Sequence, residues 1–301
     1  MEEKITRIGF IGVGTMGEPM AANLLKAGFE VTVMAHRNRA PVERLVGQGA
    51  REAQTAAEIA GAVQAIVTCV SDDAAVEEVL TGPDGIAEGA SEGLIVIDTS
   101  TISPLTSQRL AAEVSARGIT LLDAPISGGQ NGAIAGTLAI MVGGPREAFD
   151  AVLPALEAMG KSITYVGENG SALAVKLANN LIVAATQVAI SEALTMVAQA
   201  GVEPGLAHSI LVNATAGSRQ LDGAKTSLLA GDLRPGFKLS LMRKDMGLAL
   251  DYGKALGVPM FSTALSHQLY TLAMGMGKGD LTAIGVAEVY TDATGAKLTA
   301  E

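Results

Sequence analysis

The chain has 301 residues, 49% of them hydrophobic and 17% charged, and carries a formal net charge of -10. That length exceeds one small core and suggests two domains or one large one. The acidic balance argues against nucleic acid or an anionic membrane surface as the main partner, and does not exclude a small anionic substrate held by a local Lys or Arg.

A single cysteine, Cys69, rules out an intrachain disulfide and fits a reducing cytoplasm. The opening segment "MEEKITR" has no signal-peptide layout and leads directly into a strand pattern. Apolar, β-branched runs at 7–12, 30–35, 65–70, 94–99, 120–125, 138–143 and 163–167 are strand candidates. Helical patterns fill the gaps, for example Pro19 to Ala27 and Ala74 to Leu80. Such alternation predicts right-handed crossovers and a mostly parallel, doubly wound α/β sheet of the Rossmann type over residues 1–168.

After Gly170 the strand pattern stops. The stretch "SALAVKLANNLIVAATQVAISEALTMVAQAG" predicts one long interdomain helix ending at Gly201. The remainder reads as helical, with breaks at "GVEPG", "LRPGF" and "LGVPM", so an all-α domain is expected over 169–301. The most apolar run, Leu181 to Ala200, is interrupted by Gln187, Ser191, Glu192 and Gln199, which favours a buried helix over a membrane span.

The segment "FIGVGTMGEPMAANL" places Gly12, Gly14 and Gly17 between the first strand and the first helix, with a second strand at βαβ spacing. In that context Gly12 permits a tight turn, Gly14 lets backbone approach a pyrophosphate, and Gly17 lets the helix pack close. The helix N-terminus attracts the phosphates, and Thr15 and Met16 belong to the same cradle. A purely steric strand-to-helix turn is the alternative. The second strand ends in "MAHRNRA", with no carboxylate to take a ribose 2′-hydroxyl. His36, Arg37 and Arg39 suit a 2′-phosphate instead, so NADP is expected, with NAD possible. A solvated basic loop is the bland reading.

Three later motifs, "DAPISGGQNGAIAGTLAIMVGG" (123–144), "KLANN" (176–180) and "KDMGLAL" (244–250), join the glycine segment in order. Together they resemble the β-hydroxyacid dehydrogenase family, over about Ile5 to Gly285. The resemblance implies hydride transfer between NAD(P) and a small 3-hydroxy acid or its semialdehyde, in a homo-oligomer, dimer or tetramer. It also implies a catalytic lysine at Lys176 and substrate binding by Ser127, Gly128, Gly129 and Asn180. Cofactor contacts fall on Thr101 and Lys244, and on Val70-Ser71 in place of the family's Leu-Pro. The NADP-type arginine is displaced by one place, onto Arg37.

The residue types narrow the chemistry. Carbonyl reduction needs a proton donor. His36 belongs to the cofactor loop, while His208 and His267 sit in helical patterns that suit core or surface roles. There is no Tyr-x-x-x-Lys pair and no ligand spacing for a metal, so none is expected. Lys176 lies in the apolar stretch "ALAVKLANNLIV", either snorkelling or held in a polar cleft, with Asn180 one turn further on the same face. Asp98 and Asp123 read as ties for loop backbones at strand ends, and Asp245 either orients Lys244 or caps its helix. Arg219, in "NATAGSRQLDGAK", either pairs with a second anionic group of the substrate or lies on the surface. Lys176 counts against an imine reductase of the same architecture. Lys176, Asn180 and Ser127 together count against a non-catalytic binding protein.

Overall fold

A computed structural model describes residues 4–299. Nine strands are present among them: β1 (Arg7–Ile11), β2 (Glu30–Met34), β3 (Arg51–Ala53), β4 (Ala65–Thr68), β5 (Ile95–Asp98), β6 (Thr120–Asp123), β7 (Ile126–Ser127), β8 (Leu138–Gly143) and β9 (Gly160–Gly167). Interleaved with them are α1 (Gly17–Lys26), α2 (Ala40–Val46), α3 (Ala56–Ala62), α4 (Asp73–Thr81), α5 (Ile86–Gly89), α6 (Pro104–Ser115), α7 (Gly129–Ala135) and α8 (Arg146–Met159). The strands form one sheet in the order β3-β2-β1-β4-β5-β6-β8-β7, with β9 paired to β8. β1 to β6 pair in parallel. β8 runs antiparallel to β6 and β7 and parallel to β9.

A parallel sheet is covered on both faces, so its central strands are apolar throughout. All four residues of β4 are buried. Successive strand residues go to opposite faces. Ile8, Phe10 and Val67 join Met20 and Leu24 of α1 and Phe149, Val152 and Leu156 of α8 on one side. Ile11, Ile66 and Val96 join Ile59, Leu80, Leu110 and Val114 on the other. Each such side chain, fully buried, contributes about 1.5–3 kcal/mol. The strand order reverses between β1 and β4, the point at which a doubly wound sheet opens a crevice at its carboxyl edge.

Two strands have no counterpart in the apolar pattern. β3 reads Arg-Glu-Ala with two exposed positions, and β7 is only two residues long. β9 begins at Gly160, ahead of the apolar run at 163.

The helices that follow are α9 (Ser171–Gln199), α10 (Pro204–Leu211), α11 (Arg219–Ala224), α12 (Leu239–Ala255), α13 (Phe261–Gly275) and α14 (Glu288–Thr294), with a 3-10 turn at Ala283–Ala287. Beyond β9 the only β pairing among the described residues is one isolated bridge, Lys238 with Thr282. The breaks "LRPGF" and "LGVPM" fall between helices, and "GVEPG" runs into α10, which Pro204 opens with Glu203 accepting from the N–H groups of Gly205 and Leu206. Gly201, at φ +80°, follows the end of α9, where a left-handed residue closes a helix.

The chain forms two compact units, Met1–Lys176 and Leu177–Glu301, divided within α9. The second packs around Ala184, Val188, Leu239, Met242, Met246 and Tyr270, and around Ile190, Leu194, Leu221 and Leu229. α9 is long and apolar enough to cross a membrane by length and composition. It also carries the buried polar residues Lys176, Asn180, Gln187, Ser191 and Thr195. Gln187 accepts from the Tyr270 hydroxyl at 2.9 Å and donates to Gln220 at 3.0 Å.

Candidate active site

The turn after β1 gives each glycine a distinct reason. Gly12 has φ +98°, and a Cβ there would stand 2.2 Å from the Cys69 carbonyl oxygen. At Gly17 a Cβ would meet the Gly12 carbonyl oxygen at 2.0 Å, so the first turn of α1 packs directly on the strand end. At Gly14 a Cβ would meet nothing within 4 Å. Packing therefore requires glycine at 12 and 17 and not at 14, where a bare backbone facing open space suits a ligand's close approach. Thr15 and Met16 complete the turn, and no side chain caps α1 at Met16. An uncapped helix start offers N–H groups and a positive dipole end to phosphate.

Past β2, His36, Arg37 and Arg39 are all exposed. Arg39 is engaged by Glu52 of β3 at 3.0 Å and by Glu43 at 3.6 Å. Among the described residues neither His36 nor Arg37 makes an ion pair. The basic cluster thus divides, with Arg39 paired to carboxylates and Arg37 making no ion pair among the described residues.

The loops after β4 and β5 are fastened to each other. Asp98, buried at the end of β5, accepts from the Thr68 hydroxyl at 2.8 Å and the Ser100 N–H at 3.1 Å. The Ser100 hydroxyl oxygen accepts from the Val70 N–H at 2.9 Å. Burial pushes the Asp98 carboxyl above its ordinary range, against the bonds from Ser100 and Thr68. Ser71 is bonded to Asp72, the cap of α4, and Thr101 follows Ser100 half-buried. Cys69 lies in the same stretch, and desolvation of its sulfur raises the thiol to about 11.

After β6 the glycine-rich segment "SGGQNG" is more ordered than its composition suggests. Ser127 of β7 pairs with Ala139 of β8, and Gly129 already begins α7. Gly128 turns between them at φ +136°, a backbone that L side chains rarely adopt, with Leu138 3.2 Å from where a Cβ would stand. The Ser127 hydroxyl and the N–H groups of Gly128 and Gly129 thus belong to one defined turn.

Lys176 is buried on α9, 7% exposed, and Asn180 follows one turn later, also buried. Asn180 is itself held: its Nδ2 donates to Asp245 Oδ2 at 2.6 Å, and its Oδ1 accepts from Asn179 at 2.9 Å. Asp245 lies within α12 and is buried, so it does not cap that helix. Its carboxylate pairs with Lys244 at 3.2 Å. Sequence reasoning passes over Asp245 as a site residue because its partner Asn180 is remote along the chain, and no local pattern signals the contact.

Arg219 is the first residue of α11, exposed, behind the Ser218 cap. His208 is a core histidine, its ring Nε2 2.8 Å from the Leu221 carbonyl oxygen. Burial lowers the His267 pKa, with Arg243 adding to the effect. No group of three or more His, Cys, Asp or Glu among the described residues is placed to hold a metal ion.

A doubly wound sheet whose first turn is cut for a dinucleotide, joined to a helical unit by a helix bearing a buried lysine, defines a nicotinamide-dependent oxidoreductase. Residues 7–167 match the model of the NAD binding domain of 6-phosphogluconate dehydrogenase. Residues 170–290 match that described as NAD-binding of NADP-dependent 3-hydroxyisobutyrate dehydrogenase. The chain is 38% identical to 2-(hydroxymethyl)glutarate dehydrogenase of Eubacterium barkeri, over 97% of each chain. It is 40% identical to 2-hydroxy-3-oxopropionate reductase of Escherichia coli (strain K12), over 91% of this chain and 94% of that one. The solved structure of Mycobacterium tuberculosis 3-hydroxyisobutyrate dehydrogenase with L-serine is 30% identical and superposes with a TM-score of 0.87, covering 95% of this chain and 99% of that one. The chain belongs to the β-hydroxyacid dehydrogenase family and is an NAD(P)-dependent hydroxyacid dehydrogenase.

Proposed function

We propose that the protein interconverts a small 3-hydroxy acid and its semialdehyde with NADP(H), and that Lys176 is the proton donor. The bound nicotinamide supplies or accepts the hydride. Reduction leaves a developing negative charge on the carbonyl oxygen, and the Lys176 ammonium gives that oxygen its proton. In the reverse direction the neutral amine takes the hydroxyl proton. The Ser127 hydroxyl and the N–H groups of Gly128 and Gly129 bind the substrate carboxylate, with Asn180 as a further polar contact. Val70, Ser71, Thr101 and Lys244 complete the cofactor contacts begun by the glycine turn.

The observation that carries this reading is the burial of Lys176 on a helix otherwise rich in Leu, Val and Ala. A buried lysine is costly unless a function or a partner retains it. NADP is supported by Arg37, which among the described residues makes no ion pair, and by the absence of an acidic residue at the end of β2. The names of the relatives span several hydroxy acids, so the test is a panel of 3-hydroxy acids and semialdehydes run with both cofactors, read at the reduced-nicotinamide absorbance. Turnover of a 3-hydroxy acid or semialdehyde, faster with NADP(H), is the expected result. Turnover of imines alone contradicts it.

A homo-oligomer belongs to the same reading. Phe261, Leu265 and Leu272 are exposed at spacings that share one face of α13, an apolar stripe suited to a second copy of the chain. Light scattering at micromolar concentration should give the mass of a dimer or tetramer. A monomer mass contradicts it.

A further inference from the structure

We propose that Asp123 is a positioning residue for the reaction, its carboxylate fastening the first turn of the Lys176 helix to the strand that leads into Ser127, Gly128 and Gly129. The proposal rests on the reading of Lys176 as proton donor.

Asp123 is the last residue of β6 and is fully buried. One carboxylate oxygen, Oδ1, accepts from the Gly170 N–H at 2.8 Å and from Asn169 Nδ2 at 3.4 Å. The other, Oδ2, accepts from the Leu173 N–H at 3.3 Å. Asn169 Nδ2 also donates to the Leu121 carbonyl oxygen at 2.8 Å, so the whole junction before α9 is bound to β6. Leu173 precedes Lys176 by three residues, less than one helical turn.

The slot for this carboxylate is shaped by a neighbour. Gly143 of β8 pairs with Asp123, and a Cβ on Gly143 would stand 2.8 Å from Oδ2, 3.0 Å from Oδ1 and 2.8 Å from the Glu168 carbonyl oxygen. Any larger residue at 143 would crowd the carboxylate and the backbone that leads into α9 together. On the other side the chain continues through buried Ala124 to Ser127, four residues on.

The first turn of a helix presents N–H groups with no partner inside the helix, and a carboxylate there satisfies them and complements the dipole. Because two separate oxygens bind donors three residues apart, the contact fixes how far α9 is rotated and advanced relative to the strand end. A lysine reaches its substrate through four methylenes, so the placement of its helix decides where the amine arrives. Misplacement of about 1 Å costs as much as a hundredfold in rate.

The test uses the full-length enzyme. Asp123→Asn keeps the side-chain shape and turns one acceptor into a donor facing an N–H. Gly143→Ala keeps the carboxylate and crowds both it and the Glu168 carbonyl at the junction before α9. Each is made alone and together with Lys176→Met, and each is measured for kcat, reduced-cofactor affinity by fluorescence, and thermal unfolding. Both variants should lose about tenfold or more in kcat with cofactor affinity within about twofold. In the Lys176→Met background the same changes should cost less than about twofold more, because the group they position is gone. Losses that multiply in the double variants, or a normal kcat in either single variant while Lys176→Met is inactive, overturn the role of Asp123 and leave that of Lys176 standing. An active Lys176→Met overturns both. If Asp123→Asn does not fold, Gly143→Ala carries the same comparison.

Discussion

Asn180 on α9 donates its amide to the Asp245 carboxylate on α12 across 2.6 Å, and both side chains are buried. That bond joins two of the four recognition motifs, "KLANN" and "KDMGLAL", and leaves the Asn180 amide facing a carboxylate that also pairs with Lys244.

Asp245→Ala should therefore destabilise the protein, because it strands a buried amide without its acceptor at a cost of about 1–3 kcal/mol. Asp245→Asn retains one acceptor oxygen and should lose less. Thermal unfolding of the two variants checks this, and an Asp245→Ala melting temperature equal to that of the wild type contradicts it.

The glycines of the first turn should separate folding from binding. Gly17→Ala sets a Cβ 2.0 Å from the Gly12 carbonyl oxygen and should lower thermal stability even without cofactor. Gly14→Ala meets nothing within 4 Å and should melt like the wild type while binding the reduced cofactor at least about tenfold more weakly. Unchanged cofactor affinity in Gly14→Ala means that the pyrophosphate does not approach there.

Arg37 and Arg39 should differ in what they recognise. Arg39 is committed to Glu52 and Glu43, whereas among the described residues Arg37 makes no ion pair. Arg37→Ala should weaken NADPH binding by about tenfold or more and leave NADH binding within about twofold, consistent with the loss of a charge-assisted phosphate contact. Fluorescence titration of each reduced cofactor decides it. Equal effects on both cofactors contradict an assignment to the 2′-phosphate.

Cys69 offers a pH test. Its thiol is raised from an ordinary 9.0 to about 11, chiefly by desolvation, with Thr99 opposing through a hydrogen bond. The folded state therefore favours the protonated form. That contribution to stability is complete below pH 9 and is lost as pH rises through about 11. At pH 8 the native thiol should react with an aromatic disulfide far more slowly than the unfolded chain does. Equal rates contradict the desolvation of the sulfur.

The architecture was legible in the sequence because parallel strands buried on both faces are apolar runs, and the glycine turn carries its own steric logic. The rest lacks a local signal. β3 has three residues with no apolar alternation, yet it supplies Glu52, which divides the basic cluster after β2. β7 and α7 sit in a segment whose glycines suggest a loop, and only the pairing of Ser127 with Ala139 orders it. Asp98 and Asp123 are legible as ties for loop backbones from their places at strand ends, but the partners of Asp98, Asp123 and Asp245 lie 30, 47 and 65 residues away, at Thr68, Gly170 and Asn180, and periodicity does not extend over such distances.

The central claim is that Lys176 supplies the proton. It is tested most directly by the kcat of Lys176→Met with the best substrate of the panel, measured beside reduced-cofactor affinity. The expected result is a loss of about 10²–10⁴-fold in kcat with cofactor affinity within about twofold, the usual scale for removing a general acid. A variant that keeps more than about a third of the wild-type kcat contradicts the account, since general acid catalysis by this lysine would then supply almost none of the rate.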